Sequence, residues 1–246
     1  MELLADIGIP GLLVTGTVVF IGAVIQGSVG MGFGLFAAPI LAIIDPRLIP
    51  GLILTLGIFA ASLPAIRGRK QIVRKELGLG IVGRIVGAIG AGAAFGAITD
   101  FQTLSLVFGV IIALAVILSL TPFEVAFNDT NLFVASIVSG VMGTFTGIGA
   151  PPMGILYQHQ NATKIRATLN AFFALGALIS FVALMSYGAI GTGHFLVAAA
   201  VSPALLLGIF TASLIKTPPG QGLRSIVLGI CAISSAVLIL RGLGYA

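Results

Sequence analysis

Gly27-Ser28-Val29-Gly30-Met31-Gly32-Phe33-Gly34 and Gly143-Thr144-Phe145-Thr146-Gly147-Ile148-Gly149-Ala150-Pro151-Pro152 each interrupt an apolar run that otherwise reads as membrane helix, and they are weak copies of one another. Glycine tolerates the left-handed backbone of a helix break, and proline suits the first turn of a helix that restarts. A break repeated at matching places in two halves of one chain points to internal duplication.

The flanking runs decide the class. Of 246 residues, 58% are hydrophobic and 8% charged, and the mean hydropathy is +1.20, far outside the range of soluble domains. The apolar residues form unbroken runs about twenty long, without the alternation of a barrel strand. The chain therefore reads as an all-α polytopic membrane protein. Six uninterrupted spans are expected at roughly Leu48–Ile66, Leu77–Ile98, Gln102–Leu120, Thr163–Tyr187, His194–Ile215 and Leu223–Leu243. Two further stretches, about Pro10–Ile44 and Asn131–Tyr157, carry the breaks. Glu2 and Asp6, with no basic residue near them, make a poor signal peptide, so the first stretch is expected to stay in the mature protein. The lone Cys231 forms no internal disulfide and no metal cluster, and neither metal nor cofactor is expected.

Orientation follows from the basic residues. Arg67, Arg69, Lys70, Arg74 and Lys75 form the densest positive segment, which belongs in the cytoplasm. Counting from it, Leu77–Ile98 ends outside near Asp100, and Gln102–Leu120 returns to a linker at Thr121–Thr130, the midpoint of the chain. If the second broken stretch is a re-entrant hairpin, Lys164, Arg166, Lys216 and Arg224 all lie inside. A single broken crossing would put all four outside. Two complete crossings keep the same sides but require about 35 residues of helix, more than this stretch has. The expected organisation is thus a first repeat over 1–121, with a hairpin at about 10–44 and three spans, and a second over 122–246, with a hairpin at about 131–160 and three spans. Three spans per repeat invert the second relative to the first and leave both termini extracytoplasmic. Tyr157, Tyr187 and Tyr245 fall at segment ends, as interfacial anchors do.

The tips carry the chemistry. Irregular backbone at membrane depth leaves N–H and C=O groups that only protein, water or ligand can satisfy. After each break the chain should resume as a short helix, about Leu35–Ile44 and Pro152–Gln160, whose N-termini point inward from opposite faces and favour an anion. Gly30, Gly32, Gly147 and Gly149 let backbone approach a ligand; Gln26, Ser28, Thr144 and Thr146 can add side-chain donors; Met31, Phe33, Ile148 and Ala150 complete the expected substrate site. Against this stands ordinary close packing, which is what glycines in membrane helices usually serve. Gly83, Gly87, Gly92 and Gly96 read that way.

Arg84 is the one charge well inside a span, about 13 Å from Lys75 by helical rise. Placing arginine there costs at least about 2.5–3.5 kcal/mol on insertion scales, so it either snorkels to the interface or faces a polar interior as a substrate countercharge. Lys164, Arg166 and Asn170 form a cytoplasmic vestibule for anions or are plain flanking residues. The seven carboxylates all fall in loops or at segment ends, which leaves no intramembrane acid to carry sodium or a proton and disfavours a cation substrate. His159 lies near the cytoplasmic end of the second hairpin and His194 in an outer loop.

The two tips, Gly30-Met31-Gly32-Phe33-Gly34 with Pro39 five residues on, and Gly147-Ile148-Gly149-Ala150-Pro151, resemble the paired glycine motifs of the TauE/SafE family of sulfite and organosulfur exporters. The resemblance spans essentially the whole chain, in length, in two four-segment halves and in motif position. It departs at Ala150-Pro151-Pro152, where a glycine run is usual, and at Leu156, which stands where Pro39 does in the first copy. The resemblance implies transport of sulfite, a sulfonate such as sulfoacetate, or a related small sulfur-containing anion across a bacterial inner membrane. The expected partners are that anion and the lipid bilayer, with homo-oligomers permitted and no nucleic acid. An anion channel and an importer share these features. An intramembrane hydrolase does not, because Gln26-Gly27-Ser28-Val29-Gly30 misses the nucleophile-elbow pattern at its first glycine and no base accompanies Ser28.

Overall fold

The computed structural model describes residues 2–98, 100–121, 124–160, 162–215 and 221–245, with the side chains of residues 2, 162–164 and 221–224 outside the described set. It is all-helical among those residues. Ten α-helices follow in order: α1 (Glu2–Val29), α2 (Phe33–Ile44), α3 (Gly51–Arg67), α4 (Arg74–Gly96), α5 (Phe101–Leu120), α6 (Asp129–Thr146), α7 (Ala150–Tyr157), α8 (Ala162–Ser186), α9 (Thr192–Leu214) and α10 (Gln221–Gly242). Six of them, α1, α4, α5, α8, α9 and α10, are long and apolar enough to cross a membrane. Their outer faces are lined with exposed Val82, Ile89, Val110, Ile117, Leu207, Phe210, Ile226 and Ile233. Such a surface is stable only where the solvent is hydrocarbon.

Both breaks fall where the glycines stand. Gly30 and Gly32 end α1 and start α2 with φ of 95° and 117°, and Gly147 ends α6 with φ of 77°, a left-handed backbone that costs other residues. Two expectations change. The stretch before the first break is one 28-residue helix, bent at Gly8, where φ is 63° and Pro10 follows. At 1.5 Å per residue it is about 42 Å long, a full crossing rather than a half-depth arm. The return arms are short, 12 residues in α2 and 8 in α7, because α2 begins at Gly32 and α7 ends at Tyr157. The expected span at Leu48–Ile66 is instead a 17-residue helix preceded by a single 3-10 turn at Pro46–Leu48. Tyr157 is no interfacial anchor. It is 3% exposed and donates to Glu76 at 2.9 Å, whereas Tyr187 and Tyr245 are exposed.

Small residues set the helix pairs. Along α1 and α9, Leu3 lies by Gly193, Phe20 and Ala23 by Gly208, and Gly27 by Ala212, so these helices run parallel. Along α4 and α6, Gly83 lies by Phe133 and Ser136, and Gly87 by Ile137 and Gly140, again parallel. The other main pairs are antiparallel: Gly57 faces Ala177 and Gly68 faces Ala167 between α3 and α8, while Gly109 faces Ile239 and Gly242 faces Leu106 between α5 and α10. Exchanging the first five helices with the last five maps α1 on α9 onto α6 on α4, and returns the α3/α8 and α5/α10 pairs to themselves. Gly83 and Gly87 serve close packing, as read from their spacing.

Candidate functional site

The first tip is closed by one side chain. Gln26 Nε2 donates to the Gly30 carbonyl at 3.0 Å and to Asn170 Oδ1 of α8 at 3.0 Å. Its Oε1 accepts from the Phe33 N–H, the first donor of α2, at 3.2 Å. Asn170 in turn donates through Nδ2 to the Arg166 carbonyl at 2.8 Å. One buried amide thus satisfies the groups that the break frees and ties the tip to the opposite half. Gly30 sits flush on α8, where a Cβ would come within 2.8 Å of Arg166 Cα.

The second tip satisfies itself locally. The Gly147 N–H donates to the Gly143 carbonyl at 2.8 Å. Thr146 Oγ1 donates to the Met142 carbonyl at 2.8 Å and accepts from the Ile148 N–H at 3.1 Å. Ser139 Oγ donates to the Gly149 carbonyl at 2.7 Å. Pro151 stands in the first turn of α7, where its missing N–H costs nothing.

Arg84 reaches this tip from α4. It is 2% exposed, so it does not snorkel. Nη1 donates to the Ser139 carbonyl and to Ser139 Oγ at 2.9 Å; Nη2 donates to Ser180 Oγ at 3.3 Å. The Ser180 and Thr144 hydroxyls are 2.7 Å apart, and Arg84 Cζ lies 5.8 Å from the centre of the Phe172 ring. Nε has no partner, and among the described residues Arg84 makes no ion pair. A Cβ on Gly149 would come within 2.6 Å of Nη1, and one on Gly176 within 2.7 Å of Nε; a Cβ on Gly143 would overlap Nη2. These three glycines make room for a guanidinium.

Of the expected substrate-site residues, Gln26, Gly32, Phe33, Arg84, Gly147, Gly149 and Ala150 line a single cavity of about 40 Å³, together with Gly34, Leu35, Ile53, Gly57, Phe173 and Ala177 among others. The remainder lie elsewhere. Ser28 is buried with an unpartnered hydroxyl outside that lining. Thr144 and Thr146 are turned to Ser180 and Met142, and Ile148 is wholly buried. Met31 lines a neighbouring apolar cavity of about 370 Å³ that shares Gly32, Leu35 and Ala150 with the first. Of the vestibule residues, Arg166 lines a third cavity of about 290 Å³ with Arg67 and Gln71, Asn170 is the partner of Gln26, and the Lys164 side chain lies outside the described residues. His159 is exposed, 3.8 Å from Glu124. His194 contacts the Arg47 carbonyl at 2.9 Å through Nε2.

Sequence reading misses Ser139, Ser180 and Gly176, the groups around Arg84. Each sits in its own helix among many small residues, and nothing local marks it. Together they hold a desolvated cation beside a cavity, an arrangement that attracts an anion and repels a cation. Among the described residues no group of three or more His, Cys, Asp or Glu could hold a metal.

Apolar helices closed around such a cavity define a multi-pass membrane protein. A family model described as sulfite exporter TauE/SafE matches residues 15–238. The chain belongs to that family of membrane transporters of sulfite and related sulfur anions. Neither a curated protein nor a solved structure matches it.

Proposed function

We propose that the protein exports a small sulfur-containing anion, sulfite or a sulfonate such as sulfoacetate, through a bacterial inner membrane, and binds it where the two glycine tips meet. The carrying observation is Arg84, a buried cation without a carboxylate that lines the same cavity as Gly32, Gly147 and Gly149. A negative-inside potential drives an anion outward by about 2.3 kcal/mol per charge per 100 mV, so export needs no coupling ion.

The helix directions support two inverted repeats. With the basic segment Arg67–Lys75 inside, α1 enters from outside and α9 does the same, while α6 and α4 both leave from inside; both termini are then extracytoplasmic. The parallel packing of α1 on α9 and of α6 on α4 fits that scheme. A single broken crossing at either tip would set one of these pairs antiparallel. Arg166 and Asn170, with Lys164, sit on the cytoplasmic side of the Gln26–Asn170 hydrogen bond and collect anions there. At about 40 Å³ the cavity is closed down, and a sulfonate with an organic tail requires the tips to part.

The test is sulfite efflux from proteoliposomes containing the purified chain. Saturable efflux with counterflow, lost in Gly149→Leu and in Arg84→Gln, is expected. Flux that rises linearly with concentration makes the protein a channel, and uptake coupled to an ion gradient makes it an importer. Unaltered flux in both variants removes the site from the tips.

A further inference from the structure

We infer that, when no sulfur-containing substrate is present, the cavity beside Arg84 holds a small inorganic monoanion of chloride's size, so that substrate loading exchanges one anion for another. This rests on the reading of that cavity as the transport site. It goes further by naming a second ligand and by changing what a transport cycle carries.

The first argument is charge. A guanidinium offers five N–H donors and stays ionised. In this site its acceptors are one carbonyl and two hydroxyls, all neutral: Ser139 O, Ser139 Oγ and Ser180 Oγ, the last at 3.3 Å. Nε has no acceptor. Arg84 is 98% buried by the measure that leaves 2% of it exposed, and no carboxylate among the described residues pairs with it. Neutral dipoles satisfy part of the hydrogen bonding and none of the net charge, and a buried charge persists in proteins where it is paired.

The second argument is shape. About 40 Å³ is little more than the roughly 30 Å³ that one water occupies in the liquid. A monatomic anion fits that space with the tips closed; a sulfonate with a carbon tail does not. Water would fill it but would leave the charge uncompensated. The third argument is the surrounding field. Gly34 and Leu35 in the first turn of α2, and Ala150 at the start of α7, line the same cavity, so the positive ends of two helix dipoles add to the guanidinium. Gln26, at the first tip, lines it too and holds its amide in place through Gly30, Phe33 and Asn170.

A resident anion means that the empty carrier never presents a bare arginine to hydrocarbon as it reorients. Export of one monoanionic substrate would be matched by entry of one chloride, and that cycle moves no net charge. External chloride should then accelerate efflux of internal sulfite.

The experiment uses full-length protein purified in sodium gluconate. Titration with sodium chloride at constant ionic strength is expected to raise the thermal midpoint saturably by about 3 °C or more, since a ligand specific to the folded state stabilises it. Arg84→Gln should abolish the rise and Arg84→Lys should retain part of it. Because either variant could fold poorly, wild-type crystals grown in sodium bromide provide an independent reading: an anomalous peak is expected within about 4 Å of the guanidinium, the reach of an ion pair. A non-saturating chloride effect shared by wild type and Arg84→Gln overturns the inference, as does a bromide map with no peak at Arg84. Stabilisation by sulfite but not by chloride also overturns it and leaves the export reading standing. Stabilisation by chloride but not by sulfite upholds the resident anion and removes the export reading.

Discussion

Gly34 of the first tip lies against the carbonyl oxygen of Gly147 of the second, so closely that a Cβ on Gly34 would overlap it. Two backbones from opposite halves touch there without a side chain between them, in the wall of the Arg84 cavity. Gly34→Ala is therefore expected to push the tips apart. Overpacking of this kind costs about 1–3 kcal/mol, so a lower thermal midpoint and loss of sulfite transport should appear together. Gly90→Ala, on an exposed face of α4 with nothing within 4 Å of its Cβ, should be neutral or stabilising by up to about 1 kcal/mol and should transport normally.

Gln26 and Asn170 are expected to be energetically coupled. Gln26→Ala leaves the Gly30 carbonyl and the Phe33 N–H without their partner, a buried polar loss of about 1–3 kcal/mol. A double-mutant cycle with Asn170→Ala, read by thermal or denaturant unfolding in detergent, should give an interaction energy of about 0.5–3 kcal/mol. Additive effects would show that the hydrogen bond between the first tip and α8 contributes nothing beyond its two separate environments.

Arg84→Met should separate function from stability. Removing a buried charge and filling its volume with a flexible apolar chain is expected to leave stability unchanged or to raise it by up to about 3 kcal/mol. Sulfite binding, measured by thermal shift, should disappear in the same variant. A Met variant that still binds sulfite would show that the anion is held by backbone alone.

Asp100 gives α5 a pH-sensitive start. Its Oδ1 accepts from the Thr103 N–H at 2.7 Å, and that hydrogen bond holds the carboxyl below its ordinary value of 3.8. A depressed folded value means that the stabilisation is complete above the ordinary carboxylate range and is lost as pH falls through the depressed value. Asp100→Asn keeps a capping side chain and removes the titration. The gap in thermal midpoint between wild type and this variant, present at pH 6, should shrink steadily below pH 4.

The breaks were legible in the sequence because their causes are local. A left-handed backbone selects glycine at Gly30, Gly32 and Gly147, and Pro151 marks the restart, so each tip could be placed within a residue or two. Arg84 stood out because a charge in an apolar run is itself the signal. Its surroundings did not, since Ser139 and Ser180 look like any small residue in a membrane helix until α4, α6 and α8 are packed together. The length of α1 was hidden for a different reason. Gly8 and Pro10 look like a boundary, yet the helix only bends there and runs on. Thr144 and Thr146 were misjudged because a hydroxyl in a helix can bond its own backbone, as Thr146 does to Met142.

The pairing of α1 with α9 bears on how the chain is made. α1 is among the first segments to leave the ribosome, and the helix that runs parallel along its length begins only at Thr192. α6, by contrast, finds α4 already synthesised. The first arm must therefore wait in the bilayer or beside the insertion machinery while most of the chain follows. A truncation before α9 would strand it, and quality control would meet the defect in α1 although every residue of α1 is intact.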